Sequence, residues 1–165
     1  MSKTSRPKEE RLKPFRESIF SDNNLRDVAE YFLYQASGID SELSSWCVDD
    51  ACKEELWKAM IKGTKDERLK FGNRNRFRLE QKQMETIAFS KCDIYCHTKN
   101  SEKELDSLLR HLRNAIAHGN TFIKRVRNNT YIAFLDYDGE KRPSAKIATT
   151  ATNLKRWRDS IEDYH

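Results

Sequence analysis

Long apolar runs are missing from this 165-residue chain: only 37% of its residues are hydrophobic, 35% are charged, and the mean hydropathy is −0.90. A membrane-spanning helix needs about 20 consecutive apolar residues, so this composition excludes a helical membrane protein. The N-terminus, Met1-Ser2-Lys3-Thr4-Ser5-Arg6-Pro7, has no apolar core behind its basic residues, which predicts a cytoplasmic chain. A glycine-rich phosphate loop, a serine-hydrolase elbow and a paired-histidine zinc motif are absent, as are repeats and low-complexity tracts. The four cysteines, Cys47, Cys52, Cys92 and Cys96, lack the two-residue gap of zinc ribbons, although Cys92, Cys96 and His97 lie close in sequence. Four thiols brought together would still suffice for zinc. Reduced thiols buried on apolar helix faces are the expectation, with no metal and no cofactor.

What is present is charge. Lys and Arg outnumber Asp and Glu by 31 to 26, a formal net charge of +5. The excess is uneven. Lys62 to Lys82 carries Lys62, Lys65, Arg68, Lys70, Arg74, Arg76, Arg78 and Lys82 against Asp66, Glu67 and Glu80, and Lys124, Arg125 and Arg127 form a second cluster. Arg74, Arg76, Arg78, Lys124 and Arg125 are candidate contacts to an RNA backbone, with plain solvated surface as the alternative.

The length suits one domain. Residues 1–13 carry Pro7, border Pro14 and lack apolar periodicity, which predicts a flexible tail. Leu25, Val28, Ala29, Phe32, Leu33 and Ala36 form a helical stripe that ends at Gly38. Val48, Cys52, Leu56 and Ala59 give a second helix ending at Gly63, with Trp57 beside them; Trp46, Trp57 and Trp157 are expected in the core or an interface. The basic segment through Gly72-Asn73 reads as a loop. Phe77, Met84, Ile87, Ala88 and Tyr95 then suggest a long helix from about Arg76, with His97 on the surface after its end.

The fourth helix has the strongest pattern. Ser101 and Glu104 have capping-box spacing, and Leu105, Leu108, Leu109, Leu112 and Ile116 fall within about 100° of one another. Gly119 suits the left-handed residue that ends a helix. Beyond it, Thr121–Arg127 and Thr130–Tyr137 read as strands joined at Asn128-Asn129, followed by a shorter strand, Ser144–Thr149. Leu154, Trp157 and Ile161 give a terminal helix capped by Thr150 or Thr152.

Near the end of the fourth helix stands Leu112-Arg113-Asn114-Ala115-Ile116-Ala117-His118-Gly119. An imidazole moves protons near neutral pH and a guanidinium binds phosphate, a pairing suited to phosphodiester chemistry on RNA. Positive groups at a helix C-terminus are also favoured by the helix dipole alone. On a helical wheel Arg110, His111, Asn114 and His118 share the face opposite the leucine stripe. Arg113 lies about 140° from His118, since each residue turns about 100°. One regular helix therefore does not aim both groups at one atom. Either the helix end redirects His118, or a second copy of the helix supplies the missing group, as a two-fold dimer would.

The Arg113-x4-His118 motif, with the polar Asn114 after the arginine, resembles the signature of the HEPN superfamily. The wider run Leu109–Asn120 looks like small prokaryotic HEPN proteins. The resemblance implies a mainly α fold: a HEPN-like four-helix up-and-down bundle over residues 14–120, with an antiparallel β appendage and short terminal helix over 121–165. It also implies a metal-independent endoribonuclease of toxin or phage-defence type, acting as a homodimer with a composite active site. By that resemblance Arg113, Asn114 and His118 are catalytic; Arg110 and His111 read as exposed neighbours or RNA contacts. The ribose 2′-hydroxyl attacks the adjacent phosphate, leaving 2′,3′-cyclic phosphate and 5′-hydroxyl ends. His118 acts as general base or acid, Arg113 stabilises charge on the phosphate, and Asn114 orients the phosphate or the histidine. The alternative is a non-catalytic module that binds RNA, a nucleotide or a protein. An antitoxin protein is a further expected partner. Some members carry a modifiable tyrosine two residues after the histidine; Asn120 stands there in this chain.

Overall fold

The computed structural model describes residues 9–11, 19–35, 50–62, 67–88 and 92–163. Trp46, Cys47 and the stop at Gly38 lie outside them. Among the described residues no helix is long and apolar enough to cross a membrane.

The architecture corrects the expected four-helix bundle. Its centre is a five-stranded mixed sheet in the order β2-β4-β7-β6-β5. These strands are β2 (Glu67–Gly72), β4 (Cys92–His97), β5 (Thr121–Val126), β6 (Asn129–Tyr137) and β7 (Pro143–Thr150). β2 and β4 run parallel, with Leu69 opposite Ile94, and the other neighbours are antiparallel. A second, two-stranded sheet pairs β1 (Glu9–Arg11), inside the segment expected to be a tail, with β3 (Thr86–Ala88).

Two sequence readings fail here for one reason. The basic stretch expected as a loop contains β2. The long helix expected from Arg76 is a short helix α3 (Gln81–Met84), then β3, then β4. Apolar residues in this region are sparse enough to fit a helical spacing by chance. In β4, however, Cys92, Ile94 and Cys96 alternate with Asp93, Tyr95 and His97, the period of a strand. Both faces of that strand are covered, so its side chains are buried almost without interruption. Cys92 and Cys96 are buried free thiols on a strand rather than on a helix face, and burial pushes the Cys96 thiol well up.

The local signals farther along are borne out. Helix α4 (Glu104–Ala117) buries Leu105, Leu108, Leu109, Leu112 and Ile116. The Ser101–Glu104 capping box does not form: Lys103 is the N-cap residue without a side-chain cap, and Ser101 adopts positive φ. The β5–β6 turn falls one residue earlier than expected, at Arg127-Asn128, because Val126 pairs with Asn129 and Arg127 takes φ 55°. Helix α5 (Ala151–Asp163) is capped by Thr150, whose hydroxyl accepts from the Asn153 N–H at 3.2 Å. Upstream, α1 (Arg26–Glu30) passes into a π-helical turn, Tyr31–Gln35, and α2 (Asp50–Ile61) matches the second predicted helix.

All the longer helices share one face of the sheet. Cys92, Ile94, Ile132, Phe134, Ala145 and Ile147 meet the leucine stripe of α4, Val28 and Phe32 of the first helical segment, Leu56 and Met60 of α2, and Leu154, Trp157 and Ile161 of α5. Trp57 packs edge-on against Phe71, with ring centroids 5.4 Å apart. The other face is covered by residues 77–84: Phe77, Leu79 and Met84 pack against Leu135, Tyr95, Phe122 and Tyr137. The Lys146 ammonium, reaching through this face, donates to the carbonyls of Gln83 (2.6 Å) and Thr86 and so pins the covering segment.

Leu108 is fully buried at the centre of the α4 contact. Leu108→Ala should lower unfolding free energy by about 3 kcal/mol, the sum of lost transfer energy and an unfilled cavity. Urea titration measures this, and a loss below about 1 kcal/mol would place the main core elsewhere.

Candidate active site

Helix α4 ends in a Schellman motif that places the histidine. His118 is the C-cap residue, and Gly119 follows in the left-handed region at φ 65°. The Gly119 N–H donates to Ile116 O at 3.1 Å and the Asn120 N–H to Ala115 O at 2.8 Å, satisfying carbonyls left open by the helix end. The Asn120 carbonyl then accepts from the Leu135 N–H of β6 at 2.9 Å. This stitches the helix end to the sheet. Asn120 thus has a backbone role at the position where the tyrosine was absent. The His118 side chain is exposed and makes no hydrogen bond to a described residue, so both ring nitrogens are open to a ligand.

Arg113 and Asn114 are both half-buried on the last two turns of α4. Arg113 falls on the flank of Asp106 and Ala117, where Asp106 pairs with Lys53 of α2 at 2.9 Å. Asn114 falls on the side of His111 and His118, toward β6. Its amide donates to Asp136 Oδ2 at 3.2 Å. The wheel separation between Arg113 and His118 is therefore retained up to the last helical residue.

The polar face opposite the leucines packs against the sheet instead of facing solvent, and this changes two assignments. His111 is wholly buried: Nδ1 lies 2.7 Å from Asp136 Oδ2 and Nε2 2.8 Å from the His97 carbonyl. In this fold His111 presents no surface to RNA. Arg110 is clamped by Glu102 through two bonds, Nε to Oε1 at 2.7 Å and Nη2 to Oε2 at 2.9 Å, and Nη2 also donates to the His97 carbonyl at 3.1 Å. Burial would raise the Glu102 carboxyl, but the Arg110 hydrogen bond and charge outweigh it and hold the group below the ordinary carboxylate value. Arg110 is thereby committed to an internal bidentate pair.

With a proton on each nitrogen the His111 ring donates to both the Asp136 carboxylate and the His97 carbonyl; without the Nε2 proton two acceptors, Nε2 and the carbonyl oxygen, would face each other at 2.8 Å. Sequence reasoning missed Asp136, Glu102 and His97. Asp136 had a readable signal: Ile132, Phe134 and Asp136 are alternate residues of one strand, so the carboxylate falls on the inward face. Glu102 and His97 had none, since the first sits in a loop and the second was read as a surface residue after a helix. His97 is in fact buried at the end of β4, donating from Nε2 to the Phe77 carbonyl at 3.0 Å.

The basic residues divide. Arg74 donates to Asp138 at 2.8 Å, Arg125 pairs with Asp22, and Arg76 packs its aliphatic stem over Gly72. Arg78 is exposed and Lys124 half-buried. Among the described residues, no group of three or more His, Cys, Asp or Glu side chains is arranged to hold a metal ion. The side chain of Cys52 lies outside that description.

Residues 48–164, well over half of the chain, match the protein family described as HEPN pEK499 p136. Neither the curated proteins nor the solved structures contain a match to the chain.

Two outcomes test this geometry. Asp136→Ala strands a buried imidazole N–H and the Asn114 amide, and should cost about 2–4 kcal/mol in a denaturant titration, with Asp136→Asn losing less. Burial lowers the His97 imidazole below its ordinary value of 6.5. The unfolded chain therefore binds the proton more readily, and the stability from neutral His97 is complete above pH 6.5 and lost as pH falls through the lowered folded value. The carboxylates with lowered values act only at more acid pH. Melting temperature should fall between pH 7 and pH 5, with a shallower fall in His97→Gln; equal slopes would refute this role.

Proposed function

This chain belongs to the HEPN pEK499 p136 family, and from that premise we propose that it is an endoribonuclease, of toxin or phage-defence type. HEPN membership supports a nuclease or RNA-binding module. The observation that carries the finer reading is the Arg113-x4-His118 motif on the last turns of α4, with an exposed His118 fixed by the helix end.

The reaction follows from the groups available. The ribose 2′-hydroxyl forms a bond to the adjacent phosphorus as the bond to the 5′-oxygen breaks, giving a 2′,3′-cyclic phosphate and a 5′-hydroxyl. His118 takes the 2′-hydroxyl proton or delivers one to the leaving oxygen. Arg113 offsets the charge that builds on the non-bridging oxygens. Asn114, oriented by Asp136, hydrogen-bonds the phosphate. The attacking oxygen belongs to the substrate, so this route needs no metal to generate a nucleophile, and DNA lacks the required hydroxyl. The separation of Arg113 from His118 on one helix supports a homodimer in which each phosphate meets groups from both subunits. Arg74, Arg76, Arg78, Lys124 and Arg125 are the proposed contacts to the rest of the RNA backbone.

Purified protein incubated with total RNA should cleave it in the presence of EDTA. His118→Ala and Arg113→Ala should each slow cleavage by about 100-fold or more. Mixing the two variants should restore part of the activity if subunits share a site. Undiminished cleavage by both variants would overturn the assignment, and RNA binding without cleavage would favour a non-catalytic module.

A further inference from the structure

The β2 edge of the five-stranded sheet is open among the described residues: β2 pairs there with β4 alone, and Arg68, Leu69 and Lys70 are exposed. One bond fixes where its backbone groups point. The Gly72 carbonyl accepts from the Thr98 N–H at 2.9 Å, on the β4 side, and successive residues of a parallel strand alternate in this respect. Arg68, Lys70 and Gly72 therefore direct their N–H and C=O groups at β4, while Leu69 and Phe71 direct theirs outward. The side chains alternate as well. Leu69, which is 36% exposed, and Phe71 lie on the face covered by the helices, where Phe71 meets Trp57. Arg68 and Lys70 lie on the opposite face. There the Lys70 ammonium stands 5.3 Å from the Phe77 ring centroid and pairs with no described carboxylate.

An exposed edge with outward donors and acceptors is a template for another strand. A second copy of this chain is a poor occupant. In an antiparallel pairing of two β2 edges, the outward groups of Leu69 meet residue 67, 69 or 71 of the other copy. These registers set Arg68 opposite Arg68, Arg68 opposite Lys70, or Lys70 opposite Lys70, and like charges directly opposite are destabilising. The same cations favour a strand that carries carboxylates. Asp93 of β4 stands opposite Arg68 within the sheet, so Lys70 is the cation most available to a partner. We propose that the β2 edge docks an extended acidic strand of another protein. Its backbone bonds Leu69 and Phe71, and its carboxylates lie beside Lys70 and Arg68. Its alternate apolar side chains extend the surface made by Leu69, Phe71 and Trp57. This inference is independent of the ribonuclease reading, since none of the residues assigned there to RNA lies in β2.

Titration of the full, isotope-labelled chain with a peptide of alternating glutamate and valine, read by calorimetry and by amide hydrogen exchange, tests this. An alternating lysine–valine peptide and an uncleavable, 2′-O-methylated oligoribonucleotide serve as comparisons. The acidic peptide should bind saturably and slow exchange at the Leu69 and Phe71 amides. The amides of Arg68 and Lys70, already turned to β4, should exchange as before. Lys70→Glu should weaken the acidic peptide by about fivefold or more and strengthen the lysine–valine peptide, a gain that misfolding cannot produce. The proposal is overturned by absence of saturable binding of the acidic peptide, by equal affinity of the wild type for both peptides, or by protection that spares Leu69 and Phe71. It is equally overturned if the oligoribonucleotide protects those two amides and the acidic peptide does not.

Discussion

The buried carboxylate of Asp136 joins helix α4 to strand β6, and the candidate active site depends on that contact. One oxygen receives the His111 ring and the Asn114 amide, one helical turn before the catalytic candidate His118. A buried carboxylate is costly unless its hydrogen bonds are complete, so the helix cannot turn or slide on the sheet without stranding it. The leucine stripe supplies most of the favourable energy of docking but little angular information, because apolar contact is non-directional. Asp136 supplies the angle. The Arg110–Glu102 pair and the His97 carbonyl extend the same restraint toward the start of the helix.

The end of α4 shows how a surface group is held still without being buried. The Schellman bonds, the left-handed Gly119 and the Asn120–Leu135 bond fix the backbone on both sides of His118, while its ring stays open to solvent. Arg113 lies on a different flank of the same helix, and that separation is why composite catalysis by two subunits is part of the proposed function.

The parts legible in the sequence are those whose signals are local. The stripe of α4, its glycine stop, the turn before β6 and the Thr150 cap each need only a few neighbouring residues. β2 and β4 were hidden because their pairing is parallel and long-range, and because sparse apolar residues such as Met84, Ile87 and Tyr95 also fit a helical period. The polar face of α4 was misjudged for a related reason. On a wheel, Arg110, His111 and Asn114 look solvent-facing, and only a neighbouring strand with an inward aspartate makes that face an interior one.

By itself, the sequence determined the motif and the element carrying it: Arg113, Asn114 and His118 at the end of a strongly amphipathic helix, in a chain belonging to the HEPN pEK499 p136 family. That information is written in residue type and spacing along one continuous segment. Only the tertiary structure decided that the helix rests on a five-stranded mixed sheet, that His111 is an internal strut, and that Leu69 and Phe71 turn their backbone groups out from an edge strand. Those outcomes depend on which distant segments meet, and burial and hydrogen-bond completion are settled only by that meeting.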